Sequence, residues 1–317
     1  MRRPRVLVLG TGGTIAGVAD SSASSSGYRA AALSIEQLVA AVPALADFDL
    51  ETRQVAQVDS KNMSFAIWTD LHREVSAALG DGQLDGIVIT HGSDTLEETA
   101  YFLARTVVAT KPVVLTAAMR PATALSADGP QNLLDAVQVA TDAGAAGVRV
   151  CVHGQVFPGH AVRKRHPHAV NAFASSREPT ATLEEGWYTT PAALPEPLRF
   201  ELDLPWAWVE MLSNAAGQDG RGLDALVAAG VQGVVIAATG NGTLADPLLE
   251  AVQRAQKSGV EIVVVSRCAE GHIVGQPDHG LPVLGVTAVQ ARVELLLLIR
   301  WKQGMRRARA AADRVAT

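Results

Sequence analysis

Short apolar runs alternate with longer segments of helical periodicity along most of this 317-residue chain. The first run, Val6–Leu9, is continuously apolar and ends in glycine-rich sequence, which is typical of a strand buried on both faces of a parallel sheet. This alternation predicts an α/β fold with a mostly parallel sheet flanked by helices. The further predicted strands are Gly86–Thr90, Pro112–Thr116, Val148–Val152, Gly233–Ala238 and Glu261–Ser266. The predicted helices are Ile35–Val42, Trp68–Leu79, Leu96–Val107, Gln131–Ala143, Pro247–Ser258 and Val289–Gln303.

The alternation fails between Arg177 and Leu212, where five prolines interrupt the chain and periodic runs are few. This composition is typical of a linker or of a long irregular connection. We therefore predict two domains. A larger N-terminal α/β domain over residues 1–190 carries the chemically informative motifs, and a linker over residues 191–204 joins it to a smaller C-terminal α/β domain over residues 205–317.

Bulk composition argues against several kinds of protein. The net charge is −5, without the basic excess of a nucleic-acid-binding protein, and only Arg306–Arg314 is locally basic, as on a solvated helix face. The most apolar helical segment, Leu295–Ile299, is far too short to span a bilayer. No cationic and apolar leader precedes the first strand, which predicts a cytoplasmic protein. Cys151 and Cys268 adjoin apolar runs, and we expect both to be buried reduced thiols.

The first strand runs into the glycine-rich segment GTGGTIAG, Gly10–Gly17. A dinucleotide fingerprint needs glycine at its first, third and sixth positions, and the sixth residue here is Ile15. The alternative is a tight turn that presents the hydroxyl of Thr11 or Thr14 at the carboxyl end of a strand, where open α/β sheets bind ligands. A purely structural turn, with both hydroxyls satisfied by the backbone, also fits the sequence.

The next segment, Asp20–Tyr28, is polar and rich in small residues, with a serine-rich patch at its centre. Such a segment is typical of an ordinary surface loop. It is equally typical of a mobile lid over a site, in which case Tyr28 is the polar aromatic tip of the lid.

The motif ITHGSDTLEETAYF, Ile89–Phe102, joins a predicted strand to a predicted helix. Thr95 and Glu98 have the spacing of a capping box, so part of the motif is expected to be structural. Ser93 and Asp94 then lie near a helix N-terminus, where the dipole favours a carboxylate and backbone N–H groups can meet an anion. Simple helix capping and a functional site are both open here.

Two further segments are weaker indicators. Asp128–Pro130 predicts a turn into a helix, with Pro130 near its first position, and we expect it to serve as scaffold. His160–His168 (HAVRKRHPH) holds three histidines but no acidic residue, so we predict no metal site. Lys164 within it lies between two arginines and by itself is typical of a surface charge.

Four segments in this order resemble the bacterial-type asparaginase family, which also includes asparaginase–glutaminases. They are TGGTIAG at Thr11–Gly17, THGSDTLEETAYFL at Thr90–Leu103, MRP, SADGP and NLLDAV within Met119–Val137, and GNGT at Gly240–Thr243. The resemblance covers nearly the whole chain, and four ordered segments are far more specific than any one of them. It implies two α/β domains and a hydrolase that converts L-asparagine to L-aspartate and ammonia, with weaker activity on glutamine.

By this resemblance, Thr14 is the nucleophile that forms an acyl-enzyme, and Tyr28 is its activating partner. Ser93, Asp94 and Lys164 form a second polar set that positions water and transfers protons. The assignment is chemically coherent, because a threonine hydroxyl is a weak nucleophile and needs a neighbouring group to take its proton.

The resemblance also assigns the substrate contacts. Ser60, in DSKNM, matches the serine that holds the α-carboxylate of the substrate, and Asp94 binds the α-ammonium group. Ser93 is also assigned to the substrate-binding residues. No metal or organic cofactor is implied, and no nucleic acid or membrane is expected as a partner. The resemblance further implies a homotetramer, a dimer of dimers, in which the C-terminal domain of a neighbouring subunit completes each site.

Three positions depart from the family pattern. Ser93 stands where the family usually has Thr, which keeps the hydroxyl but leaves its rotamer less restricted. Lys61, next to Ser60, stands where the family often has Gln, and we expect it to favour asparagine over glutamine. Thr243 stands where the family has an Asn that reaches a neighbouring subunit's site.

Two other functions stay open at this point. One is the amidotransferase subunit that generates ammonia from glutamine, although that subunit usually carries an extra N-terminal β-domain and the first strand here begins at Arg5. The other is a nucleotide-binding α/β protein that uses Gly10–Gly13 for phosphate, although its fingerprint is incomplete.

Overall fold

The structure of the protein is a computed structural model that describes residues 2–21, 27–175, 181–182, 196–198, 200–271 and 273–315. These residues divide into two compact units, Met1–Pro197 and Leu198–Thr317, and each has its own sheet and hydrophobic core. The domain boundaries at residues 190 and 205 stay a prediction, because residues 183–195 lie outside the described part of the chain.

A mostly parallel sheet forms the centre of the N-terminal unit. Its strands and those beside it are β1 Arg5–Gly12, β2 Val18–Ala19, β3 Tyr28–Arg29, β4 Asp49–Val58, β5 Gly86–Thr90, β6 Pro112–Thr116, β7 Gly147–Val152, β8 Gln155–Pro158, β9 Val162–Lys164, β10 Phe173–Ser175 and β11 Ala181–Thr182. Within the described residues, seven strands form the sheet in the order β11-β8-β7-β6-β5-β1-β4. The five strands from β7 to β4 are parallel, whereas β8 and β11 are antiparallel to their neighbours. The predicted fold class is thus confirmed for this unit.

Helices cover both faces of this sheet. They are α1 Ile35–Ala40, α2 Phe65–Gly80, α3 Leu96–Thr106 and α4 Gly129–Ala140, with short 3-10 turns at Thr14–Ala16, Pro43–Asp47, Ser60–Asn62 and Ala143–Ala145. On one face, Val8, Val88 and Val114 pack in a core that includes Leu133 of α4. Strand residues that alternate with these, such as Leu7, are also buried. Burial on both faces explains why the central strands read as continuous apolar runs.

The strand order determines where the chemically informative loops meet. The order β4-β1-β5-β6-β7 is doubly wound: the chain moves to one side of β1 and then returns to the other, which creates a topological switch point between β1 and β5. Gly10 pairs with Thr90, and Thr90 pairs with Thr116, so β1, β5 and β6 end at one edge. The segments that follow β1 and β5 therefore leave the sheet side by side at the place where such folds bind ligands.

The C-terminal unit is a smaller α/β structure, as predicted. Its elements are β12 Val209–Ser213, α5 Arg221–Ala228, β13 Gly233–Ala238, α6 Asp246–Lys257, β14 Glu261–Ser266 and α7 Ala288–Val315. In the described part of this unit, the strands form a parallel sheet in the order β12-β13-β14 around a core that includes Val234, Leu248 and Val264. Helix α7 continues beyond the predicted end at Gln303, and its side chains at Arg306–Arg309 are exposed, as expected of a solvated helix face.

Several features differ from the sequence-based expectation. Strand β4 was not among the predicted strands, because it is a half-exposed edge strand with charged residues at alternate positions instead of an apolar run. Strand β12 begins inside the stretch Arg177–Leu212, which was predicted to be irregular. Cys151 is buried, as expected, but Cys268 is exposed because it follows the end of β14. Among the described residues, no helix is both long enough and apolar enough to cross a membrane.

Candidate active site

The glycine-rich segment after β1 forms a tight turn packed against two other loops. Gly12 and Gly13 have φ values of +101° and +84°, a region that side chains disfavour. A Cβ atom at Gly12 would lie 2.6 Å from the backbone oxygen of Val58, and one at Gly13 would overlap the backbone of Gly92. The glycines therefore let the segments after β1, β4 and β5 approach one another, which accounts for them without a phosphate ligand.

The two threonines of this turn have different environments. Thr11 is buried and donates its hydroxyl hydrogen to the backbone oxygen of Thr90 at 2.9 Å, so it ties β1 to β5. Thr14 begins the 3-10 turn Thr14–Ala16, and its Oγ1 lies 2.6 Å from the phenolic oxygen of Tyr28. The sequence left open whether Thr11 or Thr14 presents its hydroxyl to a site. In the structure, only the hydroxyl of Thr14, of these two, contacts an ionisable side chain, that of Tyr28.

Tyr28 is held in place by two contacts. It belongs to β3, which pairs antiparallel with β2 through Ala19, and its ring packs on Gly17, where a Cβ atom would lie 2.8 Å from Cδ2. The side chain is half-buried. Most of the predicted lid, residues 22–26, lies outside the described residues, so movement of this segment stays a prediction.

Ser93, Asp94 and Lys164 form one polar cluster. Lys164 Nζ lies 2.9 Å from Ser93 Oγ and 2.6 Å from Asp94 Oδ1. The Lys164 side chain is only 13% exposed, whereas that of Asp94 is 57% exposed. Lys164 is therefore not an ordinary surface charge: β9 carries it back to the loop that follows β5.

Ser60 connects the end of β4 to the same loop. Its Oγ accepts the backbone N–H of Asp94 at 3.2 Å, and its backbone oxygen accepts the Thr95 hydroxyl at 2.9 Å. The predicted capping box at Thr95 is wrong for this reason, since the hydroxyl is engaged with Ser60 and not with its own helix. Among the described residues, no acceptor takes the hydroxyl hydrogen of Ser60, which leaves a donor for an anion at this point.

Lys61 lies beside Ser60 on the same 3-10 turn. Its Nζ pairs with Asp59 Oδ2 at 3.0 Å, and the pKa of Lys61 is raised mainly by that hydrogen bond. Asp94 and Tyr28 add smaller contributions in the same direction.

A buried chain of hydrogen bonds, which the sequence analysis did not predict, holds the loop that follows β5. We call this chain the relay. Trp68 Nε1 donates to Thr99 Oγ1 at 2.9 Å, Thr99 Oγ1 is 2.9 Å from His91 Nε2, and His91 Nδ1 is 2.8 Å from the backbone oxygen of Gly92. The indole can only donate and the carbonyl can only accept, so every proton in the relay has a fixed position. Complete burial lowers the pKa of His91 to about 4, which keeps the ring neutral.

The other predicted features are placed as follows. Asp128 accepts the backbone N–H groups of Met119 and Arg120 at 3.0 Å each and precedes α4, which agrees with a scaffold role. The rings of His166 and His168 stack edge to face, and the described residues contain no cluster of potential ligands able to hold a metal ion. In the C-terminal unit, Thr243, the last residue of GNGT, bridges to Thr239, which immediately precedes that segment.

Comparison with known proteins gives one family for the whole chain. Residues 5–192 match the N-terminal asparaginase model, and residues 208–310 match the glutaminase/asparaginase C-terminal domain. The chain is 37% identical over 287 residues to the glutaminase-asparaginase of Pseudomonas fluorescens biotype A, covering 86% of this chain and 79% of the relative. It is 38% identical to L-asparaginase 2 of Escherichia coli K12, covering 84% of this chain and 79% of the relative.

A solved structure is similar over nearly the full length. The crystal structure of a probable cytoplasmic L-asparaginase from Campylobacter jejuni superimposes with a TM-score of 0.87 at 34% identity, covering 94% of this chain and 95% of that one. The order of the motifs, the placement of their residues at the switch point and the match of both domain models agree. The chain is a member of the asparaginase family of amidohydrolases.

Proposed function

We propose that this protein hydrolyses L-asparagine to L-aspartate and ammonia through an ester on Thr14. The observation that carries the proposal is the 2.6 Å contact between Thr14 Oγ1 and the Tyr28 hydroxyl, on a turn at the switch point of the sheet. Family membership supports the reaction, and the local geometry supports the choice of nucleophile.

Acylation needs one bond to form and one to break. Thr14 Oγ1 attacks the side-chain amide carbon, its proton passes to the Tyr28 oxygen, and the Tyr28 proton passes on toward the amide nitrogen. This relay leaves tyrosine neutral at both ends and gives the nitrogen the proton it needs to leave as ammonia. We expect backbone N–H groups of the glycine turn and of the start of α3 to stabilise the oxyanion.

Hydrolysis of the ester then needs an activated water molecule. We assign this step to Ser93, Asp94 and Lys164, because Nζ of the lysine contacts both oxygens and can move a proton between them as water attacks. The water proton returns to Thr14 Oγ1 as the ester bond breaks, which regenerates the free hydroxyl. The reaction assigned here uses only side-chain and backbone groups of the protein, and no cofactor enters it.

Substrate binding is assigned to the polar groups on the same edge. We assign the α-carboxylate to the Ser60 hydroxyl, whose hydrogen is not used by the bond from the Asp94 N–H, and the α-ammonium group to the half-exposed Asp94 carboxylate. We also propose weaker hydrolysis of glutamine, since several relatives are named glutaminase-asparaginase. A cytoplasmic, homotetrameric enzyme is our proposal for location and assembly, and the first part is supported by the name of the Campylobacter jejuni neighbour.

The test is ammonia release from L-asparagine, L-glutamine and D-asparagine by wild type and Thr14→Ala. We expect Thr14→Ala to lower kcat on L-asparagine at least about a thousandfold while the fold survives, since losing a nucleophile typically costs that much. Thr110→Ala is the matched control, because Thr110 is exposed and precedes β6, so it lies at the amino ends of the strands, opposite the candidate site. Retention of more than about a tenth of wild-type activity by Thr14→Ala excludes Thr14 as nucleophile.

The covalent step has its own measurement. Hydroxylamine added during turnover of wild type should divert an acyl-enzyme to the hydroxamate of aspartate in place of free aspartate. If ammonia is released at the normal rate but no hydroxamate forms, water attacks the amide directly and the ester on Thr14 does not exist.

A further inference from the structure

Glu97 contacts Lys164 from the first turn of α3, and the reaction described above gives it no role. Its Oε2 accepts the backbone N–H of Lys164 at 3.1 Å. Ser93 and Asp94, a few residues earlier on the same segment, contact Nζ of the same lysine. One short stretch of chain, Ser93–Glu97, therefore holds Lys164 at both its backbone and the end of its side chain.

This double attachment matters because Lys164 is the last residue of its strand, where a further backbone contact helps to fix the position of its side chain. Strand β9 spans Val162–Lys164 and, among the described residues, forms a two-stranded sheet with β10, so Lys164 is the last residue of a short strand. Misplacement of a catalytic group by about 1 Å can cost about a hundredfold in rate. The hydrogen bond from the Lys164 N–H to Glu97 limits such displacement, because it acts on the backbone of the same residue whose side chain reaches the site.

We propose that Glu97 is a positioning residue for the hydrolytic reaction, which holds the backbone of Lys164 so that Nζ lies between Ser93 and Asp94. The inference rests on the proposed function for its kinetic consequences. Its structural content, a hydrogen bond from one amide to one carboxyl group, is independent of turnover.

The charge state of Glu97 gives this role a pH dependence. Burial raises the pKa of Glu97 to about 7, and the Lys164 N–H partly opposes the shift. The charged groups that act on it are Glu98 on α3, which raises its pKa, and Arg163 and Lys164 on β9, which lower it. Since a carboxylate accepts a stronger hydrogen bond than a carboxylic acid, Lys164 should be held more firmly above pH 7 than below it.

The kinetic experiment compares three variants on L-asparagine. We expect Glu97→Ala to lower kcat about 10- to 100-fold with KM changed less than about threefold, because substrate contacts are intact while Lys164 is displaced. Glu97→Gln keeps an oxygen acceptor, so it should stay within about threefold of wild type at neutral pH and lose the kcat transition near pH 7. Glu98→Gln, the same change one residue along the helix, should keep that transition but lower its midpoint, because Glu98 raises the pKa of Glu97.

A second experiment observes the contact without turnover. The chain contains five lysines, so 15N-lysine labelling gives a simple amide spectrum in which Lys164→Arg identifies the Lys164 signal. We expect this signal to move with a midpoint near pH 7 in wild type and in the inactive Thr14→Ala, and to stay fixed in Glu97→Gln.

The outcomes separate the two proposals. A wild type that titrates as expected but releases no ammonia from asparagine removes the proposed function and keeps the contact. An active wild type whose Lys164 amide does not titrate, or an active Glu97→Ala with an unchanged kcat, overturns the positioning role of Glu97 and leaves the proposed function standing.

Discussion

At the scale of single residues, the site is built from side chains that each make one contact within the protein and leave another group for the substrate. Ser60 accepts from the Asp94 N–H and keeps its hydroxyl hydrogen. Asp94 gives one oxygen to Lys164 and is more than half exposed. Thr14 is oriented by Tyr28 but sits at the start of a turn at the open edge of the sheet. Such preorganised groups need little rearrangement when a substrate binds.

The cluster of Ser93 and Lys164 should behave as one unit in mutagenesis. We expect Ser93→Ala and Lys164→Met each to lower kcat strongly, and the double variant to lose little more than the worse single variant, because each change breaks the same proton path. The measurement is kcat on L-asparagine for the four proteins of the cycle. A double variant that shows the full product of the two losses would mean that the residues act independently.

Lys61 should influence the choice between asparagine and glutamine. Lys61 follows Ser60 directly and pairs with Asp59. We expect its charge to draw the α-carboxylate of the substrate toward Ser60, so that the amide of the longer glutamine would overshoot Thr14. One methylene group is worth only ~1–3 kcal/mol, or roughly 10- to 200-fold, and we expect a preference for asparagine within that range. Comparing kcat/KM for both amino acids in wild type and Lys61→Gln decides the matter. Equal ratios in the two proteins would exclude Lys61 as the cause, and a wild type equally fast on glutamine would contradict the preference itself.

At the scale of elements, the positions of the functional groups depend on close contacts between the loops that follow β1, β4 and β5, which glycine residues permit. The turn after β1 and the loop after β5 meet where Gly13 lies against Gly92, and Gly92 lies in turn against Ser60, where a Cβ atom would be 2.5 Å from Oγ. Three separate strands thus deliver their polar residues to one point. The spacing between Thr14 and the Ser93 cluster is determined by backbone contact.

Substitution at Gly13 should separate these loops. We expect Gly13→Ala to lower the free energy of unfolding by about 2 kcal/mol or more, because φ is positive and the new methyl group overlaps Gly92, and to lower kcat about a hundredfold or more. Urea unfolding and ammonia release measure the two effects. Gly82→Ala is the control, since nothing lies within 4 Å of its added Cβ, and it should change neither property appreciably. A Gly13→Ala protein as stable and active as wild type would disprove the close-contact explanation.

The elements also show what can be predicted from sequence. The buried strands and amphipathic helices were predictable because their side-chain patterns follow directly from burial. Strand β4 was not, because its pairing with β1 is decided by the neighbouring strand and not by its own half-polar sequence. The position of Lys164 depends in the same way on β9, and the roles of Thr95 and Glu97 depend on partners distant in sequence. Only the family resemblance pointed to Lys164, and no local pattern distinguished Glu97 from its neighbour Glu98.

At the scale of the whole molecule, the predicted assembly can be tested directly in solution. The chain has a mass of 33.2 kDa, and we expect a homotetramer of about 133 kDa, four times that value, in sedimentation or light-scattering measurements. If neighbouring subunits complete each site, specific activity should fall on dilution at the same concentration at which the tetramer dissociates. A fully active species of 33.2 kDa would show that one chain suffices.

The two cysteines give this molecule an internal reporter of its own opening. Cys268 is exposed, whereas Cys151 is buried in the sheet of the N-terminal unit, where burial strongly raises the pKa of its thiol. A maleimide reagent should therefore label the native chain once, at Cys268, and reach Cys151 only when that sheet opens. The rate at which Cys151 is labelled then reports how often the N-terminal core opens, and no engineered cysteine is needed.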